Sequence, residues 1–397
     1  MSTEPPQRLL PRLLPMGSPG YYVFLALIAI LVLGPLGGVT ASYMNFSLGF
    51  FVGGQVLAGI LGSTVTYFYG PEGKHAANYM QTAAASVASM SAMGVLIQAM
   101  VWLGLAEPPP LHLFLYFLTV GMFGVGVGMI YTPLLVDRLQ LTYPSGLAVA
   151  NILRALTDLR LLKRSVTQLF SGMGIGVAIP LAMEKLATVP AIASLAATGI
   201  STSTVGAGMI VGARIGVPAI TYAFLWDSLA PWLRTQGWLG PEDPYRKFAF
   251  VVALGTIMGA AVVDIALILR QAVARLRAPT PEPVVVPGEE WKQTNTRRLV
   301  AWLIGWGVAL IVVTVGLLHV PIGWVLLAIG FSFVMMMVNG ISLGITDSNP
   351  ISSAFVLTIV IMAAVGLHDP VSGLLAGSIV FVVCSIGGDM QQDRSTG

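Results

Sequence analysis

Two aspartates stand four residues apart near the end of the chain, within residues 387–393, which read Gly-Gly-Asp-Met-Gln-Gln-Asp. Residues four apart share one face of a helix, so Asp389 and Asp393 would lie side by side. Because ionisable groups near a bilayer core are costly to bury and usually functional, such a pair could relay protons. The alternative is a solvated helix end on the cytoplasmic side, and the residues leave both interpretations open.

Two further polar stretches carry the signals with which a helix begins. Residues 143–146 read Tyr-Pro-Ser-Gly, in which the proline suits a first helical turn and Ser145 suits an N-cap. Residues 344–350 read Gly-Ile-Thr-Asp-Ser-Asn-Pro, and we expect Asn349 to be the N-cap of a helix that begins at the proline. A helix N-terminus presents free N–H groups and a partial positive charge, which attract carboxylates or phosphates. An ordinary cap and an ordinary cytoplasmic turn are the alternatives.

Amide and hydroxyl side chains also stand at the start of an apolar run, in residues 78–83, which read Asn-Tyr-Met-Gln-Thr-Ala. Asn78, Gln81 and Thr82 can bind a peptide backbone or can simply cap the helix that starts there. The residues do not decide between these two roles.

Asp264 and Arg214 are the ionisable residues placed deepest in the apolar runs, so each is a functional candidate that needs a partner. Arg214 could instead support its glycine-rich helix structurally. Glycines four residues apart let helix backbones approach closely. They occur as Gly124 and Gly128 and as Gly208, Gly212 and Gly216.

The composition excludes a water-soluble fold. The chain has 397 residues, of which 56% are hydrophobic and 9% are charged, whereas soluble domains carry about 25% charged residues. A water-facing surface cannot be assembled from so few charges, and the bilayer is the solvent that fits. The net charge of +3 is small and scattered, so it does not indicate a nucleic-acid partner.

Sequence signatures of enzymes and of metal or cofactor sites are lacking. No His-Glu-x-x-His motif is present, and the four histidines are isolated. Cys384 is the one cysteine, which excludes an internal disulfide and a cysteine-rich metal site. No phosphate-binding Gly-x-x-x-x-Gly-Lys-Ser/Thr occurs, so ATP hydrolysis is not expected. We therefore predict a protein that is not an enzyme and has no metal or cofactor.

Apolar runs of about 20 residues mark the segments that could cross a bilayer. They are residues 21–39, 46–69, 79–105, 111–136, 165–186, 204–226, 248–269, 299–318, 322–343, 351–367 and 371–386. A shorter run, 189–200, would add a short or broken crossing. The sequence thus predicts an all-α, polytopic transmembrane helical bundle of about 11 to 12 spans, some of them broken or re-entrant.

Basic residues predict the orientation of the chain. One cluster lies in the proline-rich residues 270–298, and the other comprises Arg138, Arg154, Arg160, Lys163 and Arg164. Cytoplasmic loops are enriched in Lys and Arg, and with a cytoplasmic N-terminus both clusters face the cytoplasm only if residues 189–200 cross the membrane. We predict four parts: a cytoplasmic tail at 1–20, a membrane block at 21–269, a cytoplasmic linker at 270–298 and a second, incomplete membrane block at 299–397.

Taken in order, the polar stretches resemble the oligopeptide-transporter superfamily, and more its yellow-stripe-like and bacterial branch than the longer peptide carriers of fungi and plants. The matching pieces are residues 78–83, 141–150, 205–212, 344–351 and 388–393. Each is weak alone, whereas five in this order and spacing are specific. The resemblance implies a proton-coupled symporter of small peptides or metal chelates such as siderophores, placed in a bacterial inner membrane. It also implies a longer bundle, so the chain looks short at its C-terminus.

The residues and the resemblance together give a candidate site. The expected substrate-binding residues are Asn78, Gln81, Thr82, Tyr143, Ser145, Asn151, Thr346 and Asn349. The expected proton-coupling residues are Asp264, Asp347, Asp389 and Asp393. Two glutamates usual in the family are replaced by Ala77 and Ile345, which shifts the expected coupling to the aspartates.

The expected partners are a peptide or metal-chelate substrate, protons and the lipid bilayer. Nucleic acid is not expected, and association into a homodimer is left open. The alternative function is that of a channel or of a membrane scaffold that transports nothing. Uptake measurements would separate these functions, because a channel gives passive flux that does not saturate.

Overall fold

The computed structural model describes residues 14–48, 55–155, 157–185, 201–277, 295–346 and 349–396. Within these ranges the chain is built from helices joined by short turns, and no strand occurs. The helices are α1 Pro19–Ile28, α2 Gly34–Leu48, α3 Gln55–Thr66, α4 Gly73–Ser89, α5 Ala92–Trp102, α6 Pro110–Thr132, α7 Pro144–Ala155, α8 Leu159–Lys185, α9 Thr202–Val211, α10 Ala213–Thr235, α11 Arg246–Arg277, α12 Thr296–Gly316, α13 Ile322–Thr346, α14 Ile351–Ala364 and α15 Pro370–Thr396.

Two π-helical turns and one 3₁₀ turn lie between these helices or extend them. A π-helical turn, Ala29–Leu33, joins α1 to α2, and another, Pro133–Arg138, extends α6. A 3₁₀ turn, Tyr67–Glu72, joins α3 to α4.

Seven helical segments among the described residues are long and apolar enough to cross a membrane. They are Pro19–Phe46, Gly73–Trp102, Pro110–Arg138, Leu159–Lys185, Thr296–Gly316, Ile322–Ile345 and Pro370–Thr396. This confirms the predicted all-α polytopic bundle. The predicted short crossing at 189–200 lies outside the described residues.

The predicted span at 204–226 is broken, because α9 ends at Val211 and α10 begins at Ala213. Gly212 between them has a φ of 69°, a left-handed value that a helix cannot contain and that glycine adopts without a steric cost. No described atom lies within 4 Å of a Cβ built on Gly208, Gly212 or Gly216, so this glycine stripe does not pack against the described residues.

The centre of the fold is α15, which packs against α6, α13, α14, α7 and α4. In the most hydrophobic 18-residue stretch of α15, 72% is buried inside the protein, whereas none of the corresponding stretch of α8 is buried. The buried face of α15 carries Leu375, Ile379 and Val383. A membrane helix surrounded by protein can carry polar groups that lipid would not tolerate, and α15 carries such groups in its last three turns.

Close helix packing depends on the glycines of α6. A Cβ on Gly124 would lie 3.3 Å from the Cα of Val383, and a Cβ on Gly128 would lie 3.1 Å from the Cα of Gly387. These distances leave little or no room for a methyl group, so the predicted packing role of Gly124 and Gly128 is confirmed.

The start of α15 is fixed by Asp369. Its Oδ2 accepts hydrogen bonds from the Ser372 backbone N–H at 2.9 Å and from the Ser372 hydroxyl at 2.5 Å. The Ser372 hydroxyl lowers the pKa of Asp369 below its usual value, against the opposing effect of burial. The carboxylate therefore caps the helix N-terminus and complements its dipole.

The end of α15 is fixed by α7 through Gly146. The Thr396 hydroxyl donates a hydrogen bond to the Gly146 carbonyl at 3.1 Å. A Cβ on Gly146 would lie 2.5 Å from the Gln392 carbonyl oxygen and 2.5 Å from the Ser395 hydroxyl. Because one of these atoms is backbone, a substituted side chain could be accommodated only if the helices separated.

We predict that Gly146→Ala destabilises the protein by about 1 to 3 kcal/mol, the usual cost of overpacking. The measurement is the apparent melting temperature of the detergent-purified chain. Gly174→Ala on α8 is the matched control, because no described atom lies within 4 Å of its Cβ. Equal melting temperatures for the two variants would contradict the proposed contact.

Candidate functional site

The polar part of α15, residues 387–396, presents its two carboxylates to α4. The Ser89 hydroxyl donates to Asp389 Oδ2 at 2.9 Å, and the Gln81 amide Nε2 donates to Asp393 Oδ1 at 3.1 Å. Thr82 also hydrogen-bonds to Asp393. The prediction that the two carboxylates share one helix face is confirmed, since both contact the same neighbouring helix.

The two carboxylates lie at different depths along α4. Gln81 follows the start of α4 at Gly73 by about two turns, or about 12 Å of helix, and Ser89 by about 24 Å. Because Asp389 contacts Ser89 while Asp393 contacts Gln81, α4 and α15 run in opposite directions here. Asp389 is therefore the deeper carboxylate when measured from the α4 N-terminus.

Neutral groups hold both carboxylates. Among the described residues the ion pairs are His75–Glu72, Lys247–Asp243 and Arg394–Asp137, and none includes Asp389 or Asp393. A hydroxyl and an amide can donate to an ionised carboxylate, and each also has an oxygen that can accept from a protonated one. The site therefore suits both protonation states.

The opposite face of α15 carries Gln391, which is fully buried. The Tyr143 hydroxyl lies 3.1 Å from Gln391 Oε1 and 3.0 Å from the Gly340 carbonyl oxygen, and its single hydrogen is shared between these two acceptors. A Cβ on Gly340 would lie 2.7 Å from Gln391 Oε1. The glycine on α13 therefore leaves the space that the glutamine amide fills.

The backbone before α7 is strained where it delivers Tyr143. Tyr143 has a φ of 42°, and such left-handed values cost a non-glycine residue about 1 to 3 kcal/mol unless the surroundings fix them. Here the Tyr143 N–H and the Thr142 hydroxyl both donate to the Gly344 carbonyl, at 3.2 and 3.0 Å. The end of α13 thus holds the loop in the conformation that places the Tyr143 hydroxyl against Gln391 of α15.

Several buried polar atoms around this part of α15 have no hydrogen-bond partner within the described protein. They are Asn78 Oδ1, Gln81 Oε1, Asn339 Nδ2, Asn349 Oδ1, Gln391 Nε2 and Ser395 Oγ. Leaving a buried polar atom unpaired costs about 1 to 3 kcal/mol, so native proteins keep few of them. The group contains both hydrogen-bond donors and hydrogen-bond acceptors.

The predicted site residues have different outcomes. Gln81 and Tyr143 are buried, Asn78, Thr82 and Ser145 are partly buried, and all five lie on segments that pack against α15 or its neighbours. Asn151 is exposed on α7, away from the buried face formed by Gly146, Val149, Ala150 and Leu153. Asp347 and the side chains of Thr346, Asp264 and Arg214 lie outside what the structure describes.

Both predicted N-caps are wrong. Helix α7 begins at Pro144, because the left-handed Tyr143 ends the preceding loop, and Ser145 lies inside the first turn. Helix α14 begins at Ile351, and its cap is Pro350. The Ile351 N–H donates to the Asn349 carbonyl at 2.8 Å, which forms an inverse γ-turn around Pro350. The Asn349 side chain instead lies beside Gly388, where a Cβ would be 2.6 Å from its Nδ2.

Sequence reasoning missed Ser89 and Gln391. Ser89 follows Gln81 by eight residues, a spacing that places both on similar faces of α4, and this signal could have identified it. Gln391 lies two residues from each aspartate and so points to the opposite side of α15, which a search for one polar face does not find.

We predict that Tyr143→Phe and Gln391→Leu are energetically coupled. Each removes one partner of a buried hydrogen bond and should destabilise the protein by about 1 to 3 kcal/mol, whereas the double variant should lose less than the sum. The measurement is a double-mutant cycle of thermal unfolding in detergent.

Tyr116→Phe is the matched control for this cycle. The buried Tyr116 hydroxyl bonds to Leu375 and Ser378, which lie about 20 Å or more along α15 from Gln391. Tyr116→Phe and Gln391→Leu should therefore be additive. Additivity in both cycles would contradict the Tyr143–Gln391 contact.

Comparison of the chain with known protein families gives one match. The family described as OPT oligopeptide transporter protein matches residues 20–397, nearly the whole chain. Comparisons with curated proteins and with solved structures found no match. The family match includes α4, α7, α13 and α15, which build the polar site. The chain therefore belongs to the OPT oligopeptide transporter family.

Proposed function

We propose that this membrane transporter couples the movement of protons to the uptake of small peptides or of peptide-like metal chelates across a bacterial plasma membrane. Its family membership gives the coarser statement, that the chain is a multi-pass transporter of the oligopeptide type and not an enzyme. The observation that carries the finer proposal is the pair of carboxylates on α15, each bonded to a neutral group of α4.

Proton binding at this pair follows from the chemistry of its partners. An arginine or lysine beside a carboxylate holds it ionised, whereas neutral partners leave it able to gain and lose a proton. Gln81 donates to Asp393 through Nε2, and its buried Oε1 has no partner within the described protein. Rotation of this amide would let it accept a hydrogen bond from a protonated Asp393.

The two carboxylates supply two successive proton-binding positions along the axis of α15. One helical turn separates Asp389 from Asp393, a rise of about 6 Å. A proton that binds the deeper Asp389 therefore has a second acceptor closer to the N-terminal end of α4. Arrangements of ionisable side chains along a membrane helix are typical of proton relays in transporters.

Substrate recognition is proposed for the unpartnered amides. Gln391 Nε2 is a donor, and Asn349 Oδ1 and Gln81 Oε1 are acceptors. A peptide backbone alternates N–H donors with carbonyl acceptors, so these groups complement it, and a neutral lining suits a zwitterionic solute. The amide and carbonyl groups of a hydroxamate-type ferric chelate offer the same chemistry, which makes the chelate the second substrate to test.

We predict that Asp389→Asn and Asp393→Asn each abolish accumulation driven by a pH gradient, because an amide cannot carry a proton. The measurement is uptake of labelled di- to tetrapeptides, and separately of ferric chelates, into proteoliposomes with and without the gradient. Substrate exchange at equal pH should persist, since it needs no net proton movement.

Asp243→Asn is the matched control, because this partly exposed carboxylate lies in the α10–α11 connection and pairs with Lys247 at 2.9 Å. Its gradient-driven uptake should equal that of the unmodified chain. Full accumulation in both α15 variants would overturn proton coupling through this pair. Flux that does not saturate in the unmodified chain would favour a channel, and no flux would favour a scaffold.

We predict that Asn349→Ala raises the apparent KM for substrate by about 5- to 10-fold, the equivalent of about 1 to 1.4 kcal/mol for one lost hydrogen bond. Concentration-dependent uptake at a fixed pH gradient measures this change. Asn151→Ala is the matched control, because Asn151 is exposed on α7. Equal KM values for the two variants would exclude Asn349 from substrate binding.

A further inference from the structure

A second polar site lies away from α15, in a small cleft that is open to the surface. The cleft lies between the end of α3, the 3₁₀ turn Tyr67–Glu72, the start of α4 and the end of α7. Its polar lining comes from Ser63, Thr66, Lys74 and Thr157. None of these residues takes part in the α15 site.

Lys74 is the charged group of the cleft. Within the described residues its ammonium takes part in no ion pair or hydrogen bond, although it is partly buried. Its acidic neighbour Glu72 is exposed and lies 3.5 Å from His75. The positive charge of Lys74 is therefore available to an anion.

The Thr66 hydroxyl is a second available donor. Ser63 and Thr64 on the same helix donate to the carbonyls four residues earlier, at 2.7 and 3.1 Å, which is the usual bond for a hydroxyl within a helix. Thr66 makes no such bond and has no side-chain partner in the described part of the chain, although the residue is only 1% exposed. A buried hydroxyl without a partner in a cleft wall points to a ligand that accepts hydrogen bonds.

The surroundings of the cleft match a membrane surface rich in anions. The segment that lines the cleft with Leu153 and Thr157 carries exposed basic side chains, namely Arg154, Arg160, Lys163 and Arg164. Exposed apolar side chains lie among them, with Leu159 at 41% and Leu161 at 43% exposure. Basic groups beside apolar ones are what a lipid headgroup and its acyl chains contact at the bilayer boundary.

We propose that this cleft binds the phosphate of an acidic phospholipid in the leaflet on the side of the α4 N-terminus. Lys74 supplies the charge, the Thr66 hydroxyl donates a hydrogen bond, and the start of α4 adds the positive end of the helix dipole. The site is separate from the proposed proton and substrate residues, so it does not depend on the transport mechanism.

The test is the apparent melting temperature of the full chain in detergent as phosphatidylglycerol, phosphatidylcholine or inorganic phosphate is added. We expect phosphatidylglycerol to raise the melting temperature and phosphatidylcholine to raise it much less. Lys74→Gln should weaken the phosphatidylglycerol response about fivefold in lipid concentration, as expected for one lost basic contact. Thr66→Val, which preserves side-chain volume, should weaken it in the same direction.

Lys247→Gln is the matched control, because Lys247 is an exposed lysine far from the cleft in sequence and already paired with Asp243. It should respond to phosphatidylglycerol as the unmodified chain does. Lys74→Arg, which keeps the positive charge, should also respond as the unmodified chain does. Equal stabilisation by the two lipids, or an unchanged response in Lys74→Gln, would overturn the proposal. A full response to inorganic phosphate alone that disappears in Lys74→Gln would overturn the lipid as its source and identify a soluble phosphate compound instead.

Discussion

A helix that carries two carboxylates can cross a membrane only where other protein surrounds it, and α15 is enclosed in this way by α4, α6, α7 and α13. Its first half is apolar and fills the core, while its last turns place Asp389 and Asp393 against hydroxyl and amide groups of α4. Every residue of this polar segment from 387 to 396 is buried or partly buried by its neighbours. Enclosure of α15 is thus the condition for any chemistry at its end.

The close packing around α15 depends in turn on glycines, which have no side chain to keep neighbouring helices apart. Gly124 and Gly128 let α6 approach α15, Gly340 makes room for the Gln391 amide, and Gly146 lets α7 contact the last turn. Small residues serve this purpose in membranes because lipid gives helices no hydrophobic reason to associate, so contact depends on shape. The glycines of α9 and α10 have no such neighbours among the described residues, and spacing alone does not distinguish the two cases.

The membrane class, most spans and the paired aspartates could be predicted because each rests on local pattern: apolar length or a four-residue spacing. The capping roles of Ser145 and Asn349 were mispredicted because distant contacts decided them. Tyr143 is held in a left-handed conformation by Gly344, about 200 residues away in the chain, and Asn349 lies against Gly388. Gln391 was missed because its partner, the Tyr143 hydroxyl, belongs to another part of the sequence. Local propensity cannot report such pairings.

The spacing of the polar residues on α15 has a mechanical consequence. Successive residues turn about 100° around the axis, so Gln391 points about 200° away from Asp389, while Asp393 returns to within about 40° of it. The carboxylates therefore contact α4 on one side while the glutamine contacts Tyr143 on the other. Any rotation of α15 about its axis that withdraws the carboxylates from α4 must also displace Gln391 from Tyr143. The rigid helix therefore couples the α4 contact directly to the Tyr143 contact.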